Sequence, residues 1–240
     1  MKDEAKQIFD EFVKEYNRVM TSDRLGCKVP MKWHYPTQLL PELFYKSVEV
    51  TKADLGPGIY SLQKFPFYTH LKVEETLPLT RLYIDGEYWM SDDPYHVIGQ
   101  HNILSNYRGN VVLVGLGLGI SLYDVIYNKN VSSITIIEIN NDLVELLKQY
   151  FPQTIKFVVG DFFDNLEVCY GTDRVFVDIF TNDNYHLYKP KVDIAVEQIK
   201  RHSLGLGIET KVNKWMFDFN ERPVKHMRTE NPQFLNIVGK

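Results

Sequence analysis

The chain has 240 residues, 44% hydrophobic and 24% charged, and its 27 basic and 31 acidic side chains leave a net charge of −4. This balance fits one large α/β domain, with or without a smaller appendage, and excludes disordered and collagen-like classes. No apolar run reaches the roughly 18 residues of a spanning helix. The charged first turns carry no export signal, and two isolated cysteines, Cys27 and Cys169, offer neither a disulfide framework nor a thiolate metal site. The expected setting is therefore cytoplasmic, with no membrane contact and no metal. Basic residues outnumber acidic ones from Lys200 onward, but the acidic whole disfavours nucleic-acid binding through bulk charge.

Residues 1–20 place Ala5, Ile8, Phe9, Phe12, Val13, Tyr16, Val19 and Met20 at i, i+3, i+4 spacing. That spacing predicts an amphipathic helix with one apolar stripe, suited to cap a core or to lie over a ligand. Residues 27–57 carry Pro30, Pro36, Pro41 and Pro57 with Gly56, and read as a stretch broken by turns. The period then becomes two. Residues 59–62, 68–73, 81–84 and 87–90 read as short strands, and Asp85-Gly86 between the last two is a strong hairpin signal. Together they predict a small antiparallel β appendage.

Beyond Gly109 the pattern changes to buried strands alternating with helices. Residues 111–114, 133–138, 156–159 and 174–178 read as strands, with helices after the first, over 142–150 and over 191–201. Such alternation implies βαβ units, a parallel sheet and right-handed crossovers. Residues 234–238 read as a final antiparallel strand.

The chemistry-bearing residues fall at the ends of these strands. Gly115-Leu116-Gly117-Leu118-Gly119 follows the first buried strand and opens a helix. There, alternate glycines let backbone approach a ligand, and a helix start offers N–H groups. The third glycine sits one position too early for the G-x-G-x-x-G dinucleotide pattern, which argues against a nicotinamide enzyme. Glu138 closes the second strand, where a carboxylate accepts bonds from both ribose hydroxyls of a nucleoside. Asp161 and Phe162 follow the third, positioned to hold an adenine amino group and pack its ring. Asp178 closes the fourth, where open α/β sheets place reactive groups. His96 and His101 are five residues apart, which is not a metal-ligand spacing on one helical face.

This set resembles the class I S-adenosylmethionine-dependent methyltransferase fold. Within it, Tyr83-Ile84-Asp85-Gly86-Glu87-Tyr88-Trp89-Met90-Ser91 followed by Tyr95-His96 is similar to the spermidine synthase family. In that family a β-hairpin with a Leu-Asp-Gly motif precedes the nucleotide-binding domain, and a Tyr-His or Tyr-Gln pair follows. The likeness runs from about Phe67 to Leu187. It implies an α/β chain with a Rossmann-like, mostly parallel sheet and helices on both faces, behind a small antiparallel β appendage and the N-terminal amphipathic helix. The division is 1–106 and 107–240. The implied ligand is S-adenosylmethionine or its decarboxylated form, held by Gly115, Gly117, Gly119, Glu138, Asp161 and Phe162, and the hairpin region implies a homodimer.

Three departures bear on the reaction. Leu118 stands where spermidine synthases carry an Asp in the glycine loop. Their Tyr-Gln before the hairpin is Tyr68-Thr69 here, and their Asp-x-x-Asp is Asp178-Ile179-Phe180-Thr181. A buried cationic diamine needs carboxylate partners, so methyl transfer is the first reading, with Asp178 as base or orienting acceptor. Aminopropyl transfer and a non-catalytic nucleoside-binding relative are the alternatives. Tyr185, in a polar loop over 182–186, together with Tyr95 and His96, is expected to meet the acceptor substrate, whose identity stays open among metabolites, proteins and nucleic acids.

Overall fold

The structure, a computed structural model, describes residues 2–22, 27–28, 34–61, 70–180 and 185–215. Helix α1 (Lys2–Ser22) begins with Asp3 and Glu4 at its positive end and buries Ala5, Ile8, Phe9, Phe12 and Tyr16. The next stretch is less broken than its prolines suggest. After the two-residue β1 (Cys27–Lys28) and a 3-10 turn at Pro36–Leu39 come β2 (Leu43–Tyr45) and β3 (Val48–Leu55), which form a hairpin. The alternation of Val48, Val50 and polar neighbours carries β3, and the prolines punctuate only its flanks.

The expected single appendage is two sheets. β4 (Gly58–Ser61) and β5 (His70–Val73) form an antiparallel pair, and β1 runs parallel to β5. β6 (Leu77–Ile84) and β7 (Glu87–Ser91) instead join the hairpin in a four-stranded antiparallel sheet of order β2-β3-β6-β7. The turn between β6 and β7 has Asp85 at φ 53° and Gly86 at φ 78°, as a two-residue primed turn demands. Lys46, on the turn between β2 and β3, pairs with Asp142 at 2.6 Å and ties this sheet to the parallel domain.

Helix α2 (Pro94–Leu104) connects the two parts, with the Asp93 side chain accepting from the N–H groups of Tyr95 and His96. The parallel domain then runs β8 (Gly109–Val114), α3 (Ile120–Ile126), β9 (Val131–Glu138), α4 (Asn141–Leu147), β10 (Lys156–Val159), β11 (Arg174–Val177), α5 (Tyr185–Gly205) and β12 (Lys211–Lys214). The sheet order is β10-β9-β8-β11-β12, all parallel. Counted within the domain this is 3-2-1-4-5, the doubly wound order, whose direction of winding reverses between β8 and β11.

The apolar runs of these strands serve two cores at once. Val111, Leu113, Ile136 and Phe176 face one core, with Phe9, Phe12, Leu122, Leu143 and Leu147 of the helices. Val112, Val114, Ile137, Val175 and Val177 face the other, with Val192, Val196 and Ile199 of α5. Strands buried on both faces need no polar alternation, so they read as continuous hydrophobic stretches.

Helix α5 starts at Tyr185, not after Pro190. The proline removes one hydrogen bond near the helix start, and burial of Val192, Ala195, Val196 and Ile199 offsets that loss. Tyr185 and His186 are thus helical rather than part of a loop. β12 is a parallel strand that the sequence pattern did not show, and the strand expected over 234–238 lies outside the described residues. Among the described residues, no helix is long and apolar enough to cross a membrane.

Candidate functional site

The candidate residues lie at the carboxyl ends of the parallel strands, beside the switch between β8 and β11, the place where doubly wound sheets form a ligand crevice. The chain leaves β8 at Gly115 with φ 94°. A Cβ there would drive into the backbone carbonyl of Asp178, so glycine is what lets the ends of β8 and β11 close together. At Gly117, φ 50°, a Cβ would strike the thioether of Met90, which reaches over from β7. Gly119 is the residue from which α3 starts.

The N–H groups of this loop are less free than a bare helix start would leave them. Gly115 donates to the Ile137 carbonyl at 2.8 Å and Gly119 to that of Leu116 at 2.8 Å. Leu116 donates to Glu138 Oε2 at 2.8 Å and Leu118 to Met90 Sδ at 3.4 Å. Only the last acceptor is a weak one. Glu138, 8% exposed, also accepts from Asn140 N–H through Oε1 at 2.8 Å. Burial raises its pKa, and these backbone N–H groups oppose the rise. Its carboxylate therefore braces the glycine loop, with each oxygen keeping further acceptor capacity.

Beside Glu138, Ile139 is 69% exposed and Val159, at the end of β10, is 46% exposed. Both are large aliphatic side chains left exposed at the ends of two adjacent strands. Asp161 follows Gly160, and its Oδ1 accepts from Phe163 N–H at 2.9 Å. Phe162 departs from its expected role. It is 3% exposed and packs into the core that α5 covers, so it supports the turn from beneath and does not offer a ring to a ligand.

Asp178 sits half-buried where β11 ends. Burial pushes its carboxyl pKa up to about 7, against the lowering pull of His96 and Gln100, and the nearby Glu138 charge adds to the rise. Gln100 Nε2 on α2 donates to Asp178 Oδ2 at 2.8 Å. The His96 Nδ1 lies 2.7 Å from Asp93 Oδ2, and Ser91 Oγ donates to the same oxygen at 2.7 Å. Burial alone would lower the His96 pKa, but Asp93, Asp178 and Asp92 outweigh it and raise it. The Tyr95 ring lies against His96 and against Trp215, at 5.4 and 6.2 Å between centroids. Trp215, just past β12, is anchored by its backbone N–H, which donates to the Val177 carbonyl at 2.8 Å.

The structure thus gathers Gly115, Gly117, Glu138, Asp178, His96 and Tyr95 around one crevice, with Asp161 on its β10 side. Tyr185 begins α5, and its side chain lies outside the described residues. Met90, Asp93, Gln100 and Trp215 are additions. Gln100 had one legible signal, since it follows His96 by four residues and so shares its helical face.

No family model matches the chain, and no curated protein matches it. Similar solved structures include spermidine synthase from Thermotoga maritima, at 16% identity over 44% of this chain and 45% of that one, with a TM-score of 0.34. A spermidine synthase in complex with the transition state analogue AdoDATO has 13% identity over 43% and 44%, with a TM-score of 0.33. Human methyltransferase-like protein 13 in complex with SAH has 19% identity over 36% and 44%, with a TM-score of 0.28. The chain spans less than half the length of each of these three.

Proposed function

We propose that the crevice binds an adenosyl sulfonium compound and that the protein is a transferase, moving a methyl group to an acceptor with Asp178 as base. The observation that carries this reading is the position of Asp178. A carboxyl with a pKa near 7 stands at the switch between β8 and β11, its own carbonyl packed on the glycine that opens the loop.

The residues present suit such a ligand. Glycine at position 117 leaves its face to the movable Met90 thioether, Glu138 offers acceptors for ribose hydroxyls, and Ile139 and Val159 offer exposed apolar surface for a purine. Met90 is a soft acceptor on a flexible stem, readily displaced from the Leu118 N–H by a better one. When bound, the sulfonium supplies an electrophilic carbon. The protein's part is to orient the acceptor, exclude water and take a proton. Asp178 takes it at Oδ1, since Oδ2 holds the Gln100 N–H. His96, fixed by Asp93, is the nearby group that stabilises the ionised carboxylate before transfer.

Aminopropyl transfer from the decarboxylated ligand is the second reading, favoured by the carboxylates Asp178, Glu138 and Asp93 around the crevice, which suit a cationic amine. Calorimetry with S-adenosylmethionine, its decarboxylated form and S-adenosylhomocysteine tests both. Tighter binding of the carboxylated ligands supports methyl transfer, tighter binding of the decarboxylated one supports aminopropyl transfer, and absence of all three overturns the site. We also place a second copy of the chain on the outer face of the four-stranded sheet. There Phe44, Tyr83 and Tyr88 stand in one cross-strand row with Glu49, and Phe44 and Tyr88 are exposed. Light scattering of the wild type and of Phe44→Glu checks this.

A further inference from the structure

Gln100 is 1% exposed, and its two amide atoms are treated unequally. Nε2 donates to Asp178 Oδ2 at 2.8 Å, whereas Oε1 is buried with no hydrogen-bond partner among the described residues. A buried acceptor without a partner is costly, and native interiors rarely keep one. A primary amide is unusual in that a half-turn about its last torsion exchanges donor and acceptor in the same volume.

We propose that Gln100 is a positioning residue for Asp178, holding the carboxyl in both of its charge states by reversing its amide. With the carboxylate ionised, Nε2–H donates to it. With the carboxyl protonated, rotation of the acid presents its O–H, and the reversed amide accepts that O–H through Oε1. The orphaned oxygen is thus the partner kept for the other state. The base keeps its place while one proton leaves the acceptor and joins Asp178, and no other atom changes hands. An apolar side chain in this position would favour only the neutral acid, and a carboxylate would add a second negative charge. Among the described residues, the titratable groups acting on Asp178 are His96, from the same helix, whose Nδ1 is held by Asp93, and Glu138, from the end of β9, whose oxygens are held by backbone N–H groups.

This rests on the proposed function only for the use of Asp178 as base, and its test needs no ligand. The 240-residue protein, labelled with 13C and 15N, is titrated by NMR, with the Gln100 amide and Asp178 carboxyl assigned by through-bond correlation to their own backbones. The Gln100 NH2 resonance should move with the same midpoint as the Asp178 carboxyl. In Gln100→Met that midpoint should rise by at least ~0.5 pH unit, because the charge-assisted bond lost from the ionised form is stronger than the neutral bond lost from the acid. Gln100→Glu should raise it too, through like charge. A Gln100 amide indifferent to pH across the Asp178 transition overturns the proposal even if neither variant folds, as does an unchanged midpoint in a folded variant. Failure of S-adenosylhomocysteine to bind would overturn the crevice's assignment and leave this titration intact.

Discussion

Helix α2 carries two histidines five residues apart, each paired with a carboxylate from outside the helix, and the two pairs have opposite surroundings. His96 pairs with Asp93 at 2.7 Å, mostly buried but still reached by solvent, and near Asp178. His101 pairs with Asp124 at 2.5 Å, sealed beneath α1, with the rings of Phe9, Phe12 and Tyr16 edge-on around it. Burial raises the Asp124 pKa and His101 opposes that rise, and among the described residues no further carboxylate acts on the pair. The pairing chemistry is the same. Solvent access and the charge of a third group separate a reactive arrangement from a brace, and α1 serves as core cover, binding the buried pair into the fold.

The comparison breaks most sharply at Asp178. Asp178→Asn should lower the transfer rate by about 10²–10⁴-fold while leaving S-adenosylhomocysteine affinity within a fewfold, as single-turnover kinetics and calorimetry would read. In the wild type the rate should climb with pH and level off above about 7, because the base must be ionised. A variant with full activity would return the crevice pair to the same structural role as the sealed one.

At Glu138 the effect falls on binding. Glu138→Ala removes acceptors whose charge-assisted bonds are worth about 1.5–3 kcal/mol each. Affinity for the adenosyl ligand should then drop by about tenfold or more in calorimetry, since about 1.4 kcal/mol is one decade. Glu138→Gln keeps one oxygen acceptor and should lose less, which separates ribose contact from the bracing of the loop.

The sealed pair should respond in the reverse manner. Asp124→Ala leaves His101 without its buried acceptor and should cost about 1–3 kcal/mol of stability in urea melts. Ligand affinity in the same variant should stay at the wild-type value. A large loss of affinity without loss of stability would make the two pairs functionally alike.

The most gradual effect is the pH dependence of stability. The folded carboxyl of Asp178 titrates near 7 against 3.8 for the free group, so between these values the folded state binds more protons than the unfolded. Its contribution is present at low pH and fades as pH rises from about 4 to 7, at no more than about 1.4 kcal/mol per pH unit. Asp92, raised to about 6 by burial, acts in the same direction, whereas Asp93, held low mainly by His96 against burial, acts in the other. Asp178→Asn should flatten that decline in melts taken across the window.

Much of this was legible in the residues themselves. Continuous apolar runs declared strands buried on both faces, Asp85-Gly86 declared its hairpin, and Gly115, Glu138 and Asp178 declared themselves by standing where those strands stop. These signals are local: period, turn chemistry and strand ends depend on neighbours within a few positions. Gln100 meets Asp178 across 78 residues and Met90 meets Leu118 across 28, through the packing of α2 and β7 onto the parallel domain. Phe162 shows the same limit from the other side, since only the packed sheet and α5 decided that its ring is worth more in the core than in the crevice. Which histidine is covered and which is open was decided by where α1 lies, and no periodicity within α2 distinguishes the two.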